Sequence, residues 1–149
     1  MKSCFLFGHG DTPESVLPAI EKAVEKHYLT LGIHLFYVGN RGNFDRLAAR
    51  AVRNMKQQYP DIQLILVLAY HPAERVPDLW GGYDHSYYPP IEKTPRPYCI
   101  VKANQYMADT ADSMICYVWH FGNTRNLLEY AQKRRKKDGI CIENVADYK

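Results

Sequence analysis

Short apolar runs alternate along this chain with longer stretches whose apolar residues recur every three or four positions. "CFLF" (Cys4–Phe7), "IHLFYVG" (Ile33–Gly39), "IQLILVLA" (Ile62–Ala69), "SMICYVW" (Ser113–Trp119) and "GICIENV" (Gly139–Val145) read as strands. The third is almost continuously apolar, as a central parallel strand covered on both faces requires. Between them, Val16, Leu17, Ile20, Ala23, Val24 and Tyr28 fall on one helical face, and so do Leu47, Ala48, Ala51, Val52 and Met55. Two more helices are predicted over 100–111 and 124–138. Pro13 suits a first turn with Asp11 or Thr12 as cap, Pro18 lies early enough to be tolerated, and Gly139 suits a helix C-cap. The order β-α-β-α-β-loop-α-β-α-β predicts a Rossmann-like three-layer αβα domain. Its sheet is mostly parallel, with about five strands and right-handed crossovers.

The periodicity fails between Tyr70 and Pro97, a stretch rich in proline and aromatic residues. A loop of this length (about 70–98) inside one compact domain is usually functional, here as a lid. Trp80, Tyr83, Tyr87 and Tyr88 are its candidate stacking residues, with packing of the loop as their plainer use.

At 149 residues the chain accommodates a single domain, 1–149. The net charge of +3 permits an anionic ligand without demanding nucleic acid. The "KRRKK" run at 133–137 ends a helix, where cations are favoured, and no aromatic interleaves it. No apolar run reaches membrane-spanning length, and "FLF" is too short for a signal-peptide core. Cys4, Cys99, Cys116 and Cys141 lack any CxxC spacing and read as free thiols, two or three of them in buried strands, in a cytoplasmic setting. The spacing of His, Cys and carboxylates predicts no metal site, and no cofactor is expected.

Parallel α/β sheets bind ligands outside the carboxyl ends of their strands. Three small polar turns would meet there: "GHGD" at Gly8–Asp11, "GNRGNFD" at Gly39–Asp45, and "HFGNT" at His120–Thr124. A glycine turn that opens a helix can hold an anion, and it is also the default tight connection; three together favour a site. Candidate ligand contacts are Gly8, His9, Gly39, Asn40, Arg41, Gly42, Asp45, Asn104, Gly122, Asn123 and Thr124. Arg41 could meet a phosphate or carboxylate. Asn43 as cap with Asp45 complementing the helix dipole is the plainer reading of that turn, as is Asn123 or Thr124 as cap of the next. For chemistry, the candidates are His9, Asp45 and His120, with Asp109 and Asp112 as further carboxylates.

The combination "FLFGHGDTP", "FYVGNRGNFDRLAA", "LVLAY", "VKANQYMADTAD" and "FGNTRNLLEYA" resembles the YspA/YpsA-like branch of the SLOG superfamily, from Cys4 to about Ile142. That superfamily also holds the LOG phosphoribohydrolases and the DNA-processing protein A domain. The resemblance implies a Rossmann-like fold, a bacterial or phage cytoplasm, a pocket for a nucleotide-derived ligand, and a homodimer. Three departures stand out. Gly10 replaces an Arg common in the branch. Ala103 and Leu127 stand where LOG enzymes carry their catalytic Arg and Glu. Cleavage of an N-glycosidic bond needs a carboxylate near the ribose and a proton donor. The expectation is therefore a small domain that binds a nucleotide or nucleotide-derived ligand, with activity unassigned and a sensor role among the options. A nucleoside or nucleotide hydrolase with a different catalytic set is the alternative, and a nucleic-acid-processing role ranks third.

Overall fold

The computed structural model describes residues 2–71 and 82–147. The elements run β1 (Lys2–Gly8), α1 (Leu17–Leu31), β2 (Ile33–Val38), α2 (Asn43–Gln58), β3 (Gln63–Val67), β4 (His85–Tyr87), α3 (Cys99–Thr110), β5 (Ser113–Tyr117), α4 (Asn123–Asp138) and β6 (Cys141–Asn144). All strand pairs are parallel, and the sheet order is β4-β3-β2-β1-β5-β6. Among the described residues the sheet thus holds six strands rather than five. The extra one, β4, lies inside the stretch expected to be all loop. Three residues of an edge strand are too few to show a period-two pattern, so only their pairing with Ile65–Val67 reveals them.

Alternation along β1 explains the three layers. Cys4 and Leu6 point into a core shared with Ile20, Ala23 and Val24 of α1 and Phe44, Leu47 and Ala51 of α2. Phe5 and Phe7 point the other way, against Ala103 and Met107 of α3 and Leu128 and Ala131 of α4. A strand covered on both faces must be apolar at successive positions, which is why "CFLF" is.

The helix starts differ from the sequence expectation in detail. Glu14–Val16 forms a short 3-10 turn ahead of α1, and Pro18 sits in the first turn of α1. Thr12 does not cap that helix; its hydroxyl donates to the His9 carbonyl at 2.6 Å and closes the turn. Gly42 and Gly122, not Asn43, Asn123 or Thr124, occupy the cap positions of α2 and α4. Gly139 does end α4, at φ 69°. The four cysteines are free, with Cys4, Cys99 and Cys116 buried and Cys141 exposed. Among the described residues no helix is long and apolar enough to cross a membrane.

Candidate functional site

The sheet order reverses direction at β1, and a cavity of about 380 Å³ opens beyond the carboxyl ends of the strands there. Its first wall is the pair of turns after β1 and β2: Gly8, Gly10, Gly39, Arg41, Gly42 and Asp45. The opposite wall is polar and neutral, made of Asn104 and Gln105 of α3 with Asn123, Thr124 and Asn126 of α4. Phe7, Val67, Ala69, Ile100, Ala103 and Leu127 supply apolar surface. This mixture of apolar surface and a few placed polar groups is what small-molecule sites use.

The first wall exists because two glycine turns pack against each other. A Cβ on Gly42 would lie 2.6 Å from the Cα of Gly10, so no side chain fits there. The Asn43 amide donates to the Gly10 carbonyl at 3.0 Å, and the Asn43 side chain donates to the Thr12 carbonyl. A Cβ on Gly8 would run into the Phe44 ring. Close packing therefore accounts for Gly8 and Gly42 with no ligand invoked. Gly122 has a different reason: its φ of 143° is a region that side chains rarely adopt.

Among the described residues, Asp45 is the acidic group that lines the cavity. Its Oδ2 accepts the Arg41 backbone N–H at 2.9 Å and lies 3.1 Å from where a Gly39 Cβ would be. Desolvation outweighs that bond and the Arg41 charge, and the carboxyl is pushed up to about 6. The Arg41 guanidinium stands 5.3 Å from the Tyr70 ring centroid, and Arg96 stands 4.8 Å from the same centroid.

Of the residues singled out in the sequence, Gly8, Gly39, Arg41, Gly42, Asp45, Asn104, Asn123 and Thr124 line the cavity together. His9, Asn40, Gly122 and His120 are not in the lining. His9 is 3% exposed, and its Nε2 accepts the backbone N–H groups of Trp119 (3.1 Å) and His120 (3.3 Å). It ties the turn after β1 to the turn after β5, behind the wall. The carboxylates Asp109 and Asp112 are committed elsewhere: Asp109 accepts the Tyr130 hydroxyl at 2.8 Å, and Asp112 the Ser3 amide at 2.8 Å. Gln105 and Asn126 also line the cavity, outside the three glycine turns. Asn126 lies three positions after Asn123, one helical turn on, and that spacing was its only signal. Trp80 lies outside the described residues.

One contact could not be anticipated from spacing. The ligand atoms of His9, Asp11 and His120 approach within 4.8 Å of one another. The arrangement suits a metal ion poorly. The two imidazoles are stacked, with centroids 3.5 Å apart and planes 9° from parallel, so their in-plane lone pairs do not converge on a point. The Nε2 lone pair of His9 is already directed at two backbone donors.

No family model matches the chain, and no curated protein matches it.

Proposed function

We propose that the cavity binds a nucleotide or nucleotide-derived ligand, with its phosphate at the start of α4 and the Arg41 side. The observation that carries this reading is the cavity itself. It is large enough for a small ligand, it lies where an α/β sheet reverses strand order, and its two walls carry Arg41 on one side and the N-terminus of α4 on the other. Asn104, Gln105 and Asn126 can donate and accept without charge, as a base or sugar hydroxyls require. The resemblance to the SLOG superfamily supports the same ligand class.

Binding without turnover fits the residues better than hydrolysis does. Ala103 and Leu127, the positions where the resemblance would put a catalytic Arg and Glu, both line the cavity as apolar groups. Neither His9 nor His120 lines it, which leaves Asp45 without an imidazole partner there. The hydrolase reading keeps one point in its favour, a carboxyl whose affinity for protons is raised inside the cavity.

The test is a melting-temperature series with AMP, ADP, ADP-ribose and NAD, followed by chromatography of each mixture. A ligand at 100 times its Kd should stabilise the chain by about 2.7 kcal/mol, which several degrees of shift would report. Thr124→Asp places a carboxylate where the phosphate is proposed to sit, at a helix start that tolerates negative charge. The variant should fold and lose the shift. Released base or phosphate would favour the hydrolase, and no shift with any nucleotide would end the binding reading.

A further inference from the structure

The stacked histidines behind the cavity join two features that the site depends on. His9 follows β1, in the turn whose Gly8 and Gly10 line one wall. Trp119 and His120 follow β5, in the turn that leads through Gly122 to Asn123 and Thr124 on the other wall. Among the described residues, the side-chain acceptor for the backbone N–H groups of both Trp119 and His120 is the His9 Nε2. That atom can accept only while it carries no proton. His120 is arranged for the opposite state: its Nδ1 lies 2.8 Å from the Phe121 carbonyl, and its Nε2 lies 3.4 Å from Asp11 Oδ1. Donating to both needs a proton on each nitrogen.

We propose that His9 and His120 form a proton-operated latch on the turn that opens α4, closed when His9 is neutral and released when His9 gains a proton. This rests on the nucleotide-site reading only for its consequence, which is that acid weakens ligand binding by loosening the start of α4.

The ionisable groups facing His9 are Asp11 on its own turn, Tyr117 at the end of β5, with rings edge-on and centroids 6.3 Å apart, and His120. Burial, then the neighbouring His120, lowers the proton affinity of His9, and Asp11 opposes them more weakly. The bond to Phe121 and the Asp11 carboxylate raise that of His120. The two shifts run in opposite directions, so His120 takes up a proton before His9 does, and protonating His9 must displace the backbone donors from Nε2 and place two like charges face to face. His9 in the folded chain holds a proton less tightly than in the unfolded chain, so the latch is intact at neutral pH and is lost as pH falls through the lowered His9 value, below the ordinary 6.5. Trp119 is 63% exposed and Phe121 81%, so little apolar packing holds the turn once the latch opens.

The test is amide exchange and histidine-ring titration by NMR on the full chain, without ligand. The Trp119 and His120 amides should be protected at about pH 7.5. Their protection should fall roughly tenfold by about pH 5, with the midpoint of the His9 ring titration. His9→Gln, which supplies an acceptor that does not titrate, should keep both amides protected throughout. His120→Asn leaves the acceptor but removes the neighbouring charge, and should move the midpoint upward. Protection that stays flat while His9 titrates, a His9 ring that does not titrate above pH 5, or an unmoved midpoint in His120→Asn would each overturn the latch. None of these readouts involves a nucleotide, so they can fail while binding stands. AMP-induced amide shifts, repeated at both pH values, then report the coupling. Equal AMP affinity at the two pH values in a chain whose latch opens would overturn the regulatory consequence.

Discussion

Asp45 holds its proton unusually tightly because it is partly withdrawn from water, and the Arg41 amide and charge do not compensate. Its folded-state value, about 6, lies above the ordinary 3.8, so its contribution to stability is full below pH 4 and is lost as pH rises through 6. Asp45→Asn removes that loss. The variant should be more stable than the parent by roughly 1–2 kcal/mol at pH 7.5 and equal to it near pH 4, as measured by urea unfolding at both values. A variant less stable at pH 7.5 would mean that the ionised carboxylate is well satisfied. The position of Asp45 in a first helical turn was legible from "GNRGNFD", but its desolvation was not, because burial depends on how the layers assemble around the turn. His9 was legible only as an unusual residue between two glycines. Its partners, Trp119 and His120, lie 110 and 111 positions away, and no local pattern encodes them.

Two His–carboxylate pairs show how burial decides what a contact is worth to the elements it joins. His27 of α1 is fully buried; its Nδ1 lies 2.8 Å from the Ser113 hydroxyl of β5 and its Nε2 2.9 Å from Glu143 Oε1 of β6. Burial favours the neutral ring, which donates to Glu143 and accepts from Ser113. The other Glu143 oxygen is buried with no hydrogen bond, and Lys26 stands 3.7 Å from it. His34 of β2 makes a similar contact with Asp61 at 3.0 Å, but at the surface. His27→Ala strands a buried carboxylate and a buried hydroxyl, and should cost about 3 kcal/mol in urea unfolding. His34→Ala should cost about 0.5 kcal/mol. Equal costs would refute the tie between α1, β5 and β6. Helices and central strands were readable from their periods, because each buries one stripe or two faces. The helix caps were not. Ser, Thr and Asn usually cap, yet here glycine holds both cap positions beside the cavity, one forced by the approach of Gly10 and one by positive φ.

The whole molecule is a parallel sheet whose strand order reverses at β1, and that reversal puts the three polar turns around one cavity. Alternation of strands and helices made this edge predictable, and eight of the eleven expected ligand contacts line it. The apolar part of the lining was hidden in the sequence, since Phe7, Val67 and Leu127 look like any core residue until the layers are assembled. The central claim is that this cavity holds a nucleotide-derived ligand between the starts of α2 and α4. Its most direct test is a titration of the labelled chain with AMP and ADP-ribose, followed amide by amide in NMR spectra. The account predicts saturable shifts concentrated on Gly10, Gly39, Arg41, Asn104, Asn123 and Thr124, and their loss in Thr124→Asp. Spectra unchanged at millimolar ligand, or shifts confined to the far edge around α1 and β6, would contradict it.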